Sequence, residues 1–134
     1  LFYSPEIVSK WIAGAFGRQA IPGASEWTSA HCDLHWGNIL DGGNHIIDWD
    51  MFSLAPKGFD AASILLFSSS NMRLFKRLHR ELFDILDNDS ARVATLFAAA
   101  RILRMMSMDA FADMRIYEPH IREAVRLIVR LGSR

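Results

Sequence analysis

Beyond Pro56 the apolar residues fall at helical spacing and stay there to the end of the chain, and this pattern fixes most of what the chain can fold into. Asp60 to Ser69 predicts one apolar helix. Asn71 is placed to cap a second, along which Leu74, Leu78, Leu82 and Leu86 recur while Arg73, Arg77, Arg80 and Asp84 fall elsewhere. Asp89 or Ser90 caps a third, with Val93, Leu96, Phe97, Ala100 and Leu103 turned inward. A fourth runs from Pro119 to Leu131 on a seam of Ile121, Ala124, Val125 and Ile128, with Gly132 as its stop. The most apolar stretch, Val93 to Met106, carries Arg101 and Arg104. It is too short and too charged to span a bilayer, so it predicts a packed helix.

Ahead of Pro56 the pattern is different. Ser4, Pro5 and Glu6 combine a capping hydroxyl, a first-turn proline and an acid at the positive helix end, which predicts a helix to about Phe16 that Gly17 stops. Ile21 to Ser25 reads as a connecting loop and Trp27 to Ala30 as a short strand. Asn38 to Leu40 and His45 to Asp48 are brief β-type runs. Asp41-Gly42-Gly43-Asn44 between them tolerates the positive φ of a tight turn, so the region predicts a small hairpin.

The expected class is therefore α+β, mainly helical, in one domain over residues 1–134. A chain that is 51% hydrophobic supplies the core. Fifteen basic residues balance fifteen acidic ones, so charge points to neither nucleic acid nor an anionic membrane as a partner. The single cysteine and the lack of an export signal favour a cytoplasmic setting. The chain opens at Leu1 rather than at a methionine and enters a helix signal at once, which predicts a piece of a longer protein.

The chemistry is concentrated in His31-Cys32-Asp33-Leu34-His35-Trp36-Gly37-Asn38. On an extended strand His31, Asp33 and His35 share one face and offer three ligands to zinc or iron, as in a metal-dependent hydrolase. Cys32 beside His31 is badly placed for proton transfer, because neighbours on a strand point to opposite faces. A third reading uses every polar residue. Phosphoryl transfer needs a carboxylate to orient the acceptor hydroxyl and oxygen ligands for magnesium. Asp33 supplies the first, and Asn38 and Asp48 supply the second once the hairpin brings them together.

These residues carry a resemblance. The stretch from His31 to Asn38 matches the H-x-D-x-x-x-x-N catalytic loop of the protein-kinase-like fold. Ile47-Asp48-Trp49-Asp50 resembles the metal-binding strand end after its hairpin, and Gly58-Phe59-Asp60-Ala61-Ala62 the aspartate that later begins a helix. The version here is similar to the aminoglycoside phosphotransferase and choline kinase-like family, with neither the arginine before the catalytic aspartate nor the Phe-Gly after the metal aspartate of protein kinases.

That resemblance implies the carboxy-terminal lobe of a kinase-like fold, with ATP as co-substrate, Mg2+ as cofactor and a small hydroxyl-bearing molecule as acceptor. Asp33 would be the catalytic base and His31 its supporting residue. Asn38 and Asp48 would hold the metal and nucleotide, Asp60 would brace the loop through its backbone, and Asp50 would assist near the metal. His35 and Trp36 would lie at the acceptor entrance. The family often has glycine at the place of Cys32 and proline at the place of Trp36. Nothing before His31 supplies the glycine-covered phosphate roof and lysine of the amino-terminal lobe, so the missing lobe is itself an expected partner and the chain alone is expected to be inactive. Residues 61–134 hold twelve basic against eight acidic residues, which disfavours a polycationic acceptor. The rival expectation is a non-catalytic helical binding or scaffold module, with the hydrolase third.

Overall fold

The computed structural model describes residues 3–17 and 26–132. The loop predicted at residues 21–25 lies outside them. Helix α1 spans Pro5–Phe16; the Ser4 hydroxyl accepts from the Ile7 amide at 3.2 Å, and Gly17, at φ 91°, donates its own N–H to the Ala13 carbonyl. Strand β1 (Trp27–Ala30) follows, then a 3-10 turn at Trp36–Asn38 and a hairpin of β2 (Ile39–Leu40) and β3 (His45–Ile46). A fourth strand, β4 (Ser53–Pro56), pairs antiparallel with β1 in the register Trp27 to Pro56 and Ala30 to Ser53. Among the described residues five α-helices follow, α2 (Phe59–Leu66), α3 (Met72–Glu81), α4 (Phe83–Leu86), α5 (Asp89–Met106) and α6 (Glu118–Gly132), with a 3-10 turn at Asp109–Tyr117 between the last two. The class is α+β and mainly helical. No helix among the described residues is long and apolar enough to cross a membrane.

Helix α5 is the axis, with α1, α2 and α6 packed against it. Its alanines 91, 94, 98, 99 and 100 are buried, and so short a side chain lets neighbouring helices approach closely. Thr95 is buried too, its hydroxyl satisfied by the Ala91 carbonyl at 2.8 Å. Phe97, fully buried, meets Tyr3 edge-on at 4.9 Å, Phe59 at 5.5 Å and Trp11 at 5.6 Å. One residue thus joins α1, α2 and α5.

The helical expectations need three adjustments. The Asp60–Ser69 helix ends at Leu66, because the amides of Ser68 and Ser69 turn back to the carbonyls three residues earlier. The predicted second helix breaks at Leu82 into α3 and the one-turn α4. Its deepest residue is Phe75 rather than Leu74, since a strict repeat of four drifts about 40° per step around a helix of 3.6 residues per turn and only an occasional step of three corrects it. Asn88, not Asp89 or Ser90, caps α5 by accepting from the Ala91 amide at 2.9 Å, while the Ser90 hydroxyl accepts from the Glu26 amide.

Removing the Phe97 ring is expected to cost about 3–5 kcal/mol of unfolding free energy as Phe97→Ala, whereas Ile116→Ala should stay within about 0.5 kcal/mol, Ile116 being 69% exposed. Urea denaturation of the two variants checks this, and comparable losses would remove Phe97 from its central place.

Candidate active site

The loop begins where β1 lets go of β4 at Ala30. Cys32 then takes a φ of 68°, a left-handed conformation that costs a residue with a Cβ roughly 1 kcal/mol or more. A carboxylate holds it there. Asp60 accepts the His31 amide on Oδ2 at 2.7 Å and the Cys32 amide on Oδ1 at 3.0 Å. Asp60 reaches the loop because Gly58, at φ 98°, lets α2 start against α5; a Cβ there would lie 3.3 Å from that of Ala91. The glycine that the family often has at the place of Cys32 suits the same left-handed turn without strain.

His31 is buried and fully engaged. Its Nδ1 accepts the Asp33 amide at 3.2 Å, which leaves the proton on Nε2 to be donated to the Ile47 carbonyl at 2.8 Å. The ring also packs edge-on against Trp49 at 4.6 Å. Asn38, buried as well, donates Nδ2 to the Asp33 carbonyl at 2.9 Å, and its own carbonyl accepts the Ile47 amide at 3.0 Å. The His31 imidazole, and Asn38 through its carboxamide on one side and its backbone carbonyl on the other, therefore join residue 33 to residue 47, whose next neighbour is Asp48. Asp48 sits at φ 61° and is exposed, as is Asp50 in the turn that follows. Neither carboxylate bonds to a described residue, and Asn38 Oδ1 takes no hydrogen bond from one.

His35 and Trp36 shape the loop's outer end. The Gly37 amide donates to His35 Nδ1 at 3.1 Å, and a Cβ on Gly37 would fall 3.0 Å from His35 Cε1, so any larger residue would press on the ring. Trp36 donates its indole N–H to the Ser68 hydroxyl at 3.0 Å and stays exposed, which ties the loop to the end of α2.

The structure corrects the hydrolase alternative. His31, Asp33 and His35 do not form a metal-ligating group, and no three His, Cys, Asp or Glu residues do so among the described residues. Both nitrogens of His31 are spent on the backbone, and Asp33 turns to a cation.

That cation is Arg101 of α5, whose Nη2 lies 3.3 Å from Asp33 Oδ1, with the two side chains 16% and 28% exposed. Sequence reasoning missed the pair. Its signal was an arginine inside the otherwise apolar Val93 to Met106 stretch, since a cation in a packed helix face calls for an acid across from it. Arg101 also lies beside Tyr3, whose hydroxyl is raised above its usual range by burial while the guanidinium pulls the other way. Burial pushes the Cys32 thiol up to about 11, with the Asp60 charge adding to the shift.

The loop thus presents the Asp33 carboxylate, held by one arginine, and the oxygen donors of Asn38 and, one residue past Ile47, of Asp48. The model of the phosphotransferase enzyme family matches residues 15–103, about two thirds of the chain, and the chain belongs to that family. No curated protein and no solved structure was found to match it.

Native Cys32 is expected to resist alkylation at neutral pH. Between its unfolded value of 9.0 and its folded value of about 11 the unfolded chain releases a proton that the folded chain keeps, so stability should fall as pH rises through that window. Denaturation midpoints across the window check this, and a slope that survives unchanged in Cys32→Ala would assign it to other groups.

Proposed function

We propose that this chain carries the catalytic loop of an ATP-dependent kinase of small molecules, built as the carboxy-terminal lobe of a kinase-like fold. The observation that carries the reading is the hydrogen-bonded unit of Asp33, Asn38 and Ile47, clamped by His31, in a chain of the phosphotransferase enzyme family. It supports Asp33 as the group that orients the acceptor hydroxyl and takes its proton during in-line attack on the γ-phosphate. Arg101 steadies that carboxylate through Oδ1, which leaves Oδ2, free of hydrogen bonds to described residues, to take the acceptor's proton. The amide of Asn38 is fixed by the Asp33 carbonyl, so its Oδ1 and the Asp48 carboxylate are the oxygens that would hold magnesium, with Asp50 beside them. Bound magnesium supplies charge neutralisation on the nucleotide phosphates.

The reading assigns the phosphate roof and lysine to a segment outside these 134 residues. Leu40, Ile46, Ile47, Trp49, Phe52 and Leu54 are all exposed around Asp48, which is the kind of surface that a nucleotide and a covering lobe would bury. The acceptor is a small hydroxyl compound in which positive charge is not the main recognition element, given the basic excess of residues 61–134. His35 and Trp36 border its entrance.

A screen of aminoglycosides, choline, homoserine and sugars against ATP and GTP, using the full-length protein, tests the reading by phosphoryl transfer. With an acceptor found, Asp33→Asn should reduce turnover by about 10²–10⁴-fold while sparing nucleotide binding. Asp48→Asn should instead raise the magnesium concentration needed for half-maximal rate. Unchanged turnover in the first variant, or unchanged magnesium dependence in the second, would strip that residue of its role.

A further inference from the structure

Helices α1, α5 and α6 border, with the turn at Asp109–Tyr117, an open cavity of about 500 Å³. None of residues 31–60 lines it, so it is separate from the catalytic loop. Its walls carry Lys10, Arg104, Arg115 and Arg122 against a single acid, Glu118. The three guanidiniums come from three different segments, and each is steadied by something besides a carboxylate. Arg104 lies over the Trp11 ring at 4.8 Å, Arg115 donates to the Met106 carbonyl at 2.8 Å, and Arg122 donates to the Ala15 carbonyl at 3.3 Å.

The acids nearby do not balance them. Glu118 is taken by Arg122 at 3.1 Å, and Asp109, outside the lining, reaches Arg115 only at 3.9 Å. Lys10 and Arg104 have no acidic partner among the described residues. Cations facing one concavity repel each other, and low-dielectric walls focus their field into it. Planar guanidiniums held in place are also the geometry that takes carboxylate or phosphate bidentately. Trp11 and Leu103 give the same cavity an apolar wall, and its volume suits a small molecule.

We propose that this cavity binds a small organic anion, with carboxylate or phosphate groups against Lys10, Arg104 and Arg115 and an apolar body against Trp11. The site stands on its own charges and does not depend on the reading of Asp33. Calorimetric titration of the full-length protein with citrate and with inorganic pyrophosphate, free of magnesium and at low salt, tests it. Saturable one-to-one binding by either probe is expected, weaker at higher salt. Citrate alone would mark a carboxylate ligand, pyrophosphate alone a phosphate. The affinity should drop by about tenfold or more in Lys10→Gln combined with Arg104→Gln, both exposed positions, since each removes a charge-assisted contact. Lys10→Glu alone should weaken it similarly, which keeps the test standing where the double variant fails to fold. Arg80→Gln on α3 and Asp48→Asn should leave it unchanged. Lack of saturation with both probes overturns the proposal, as does an affinity untouched by the Lys10 and Arg104 changes or lost equally in Arg80→Gln or Asp48→Asn.

Discussion

The carboxylate of Asp60 is the fixed point on which the loop depends. Two adjacent amides, of His31 and Cys32, end on its two oxygens, and a charged acceptor makes each bond stronger than a neutral one would be. That pairing offsets the left-handed turn at Cys32 and sends the chain out of β1 in a new direction. Without it the amides would be left to find water in a part-buried site, and the loop would have no reason to keep its strained residue. Everything beyond follows in sequence. Residue 33 donates its amide to His31, His31 reaches Ile47, and Asn38 closes the circuit back to the Asp33 carbonyl.

The placement of Asp60 in turn depends on packing far from the chemistry. Gly58 can approach α5 because Ala91 presents only a methyl group there, and Ala91 is buried because α5 is lined with small residues. The aromatic cluster around Phe97 holds α1 and α2 against the same helix. The helical body is therefore a scaffold that sets the height of one carboxylate under one loop. Rigid elements supporting a short irregular segment are the usual way to hold polar groups in a fixed relation.

Much of this was legible in the sequence, and the failures have physical causes. Local signals held: Ser4 and Gly17 bound α1, the Asp41–Asn44 turn joins β2 and β3, and the α6 seam of Ile121, Ala124, Val125 and Ile128 is buried. Hydrogen bonds link His31, Asp33, Asn38 and Asp60, which their spacing had singled out, and reach Ile47, the neighbour of Asp48. What escaped notice were partnerships across long stretches of chain. Strand β4, Ser-Leu-Ala-Pro, ends on a proline and has no alternating pattern, so it does not announce itself, and it pairs along β1. Arg101 lies far along the chain from Asp33, and only the cost of an unpaired cation in a packed helix hints that a partner exists. The basic lining of the α1–α5–α6 cavity is invisible for the same reason, since Lys10, Arg104 and Arg115 become neighbours only after α1 docks on α5.

The Asp33–Arg101 pair also separates stability from chemistry. A part-buried ion pair loses much of its Coulomb attraction to desolvation, and apolar residues of similar volume would serve the core at least as well. The other buried positions of helix α5 are apolar apart from Thr95, whose hydroxyl is satisfied within the helix. Packing alone therefore does not call for an arginine at position 101. The guanidinium holds one oxygen of Asp33 and leaves the other without a described partner, which is the arrangement that the proposed role of Asp33 calls for. The same logic applies to the exposed Asp48, whose positive φ is a cost with no packing return. At both places a local cost stands next to a loop that the rest of the fold holds still, which is the pattern expected of the proposed phosphoryl-transfer role.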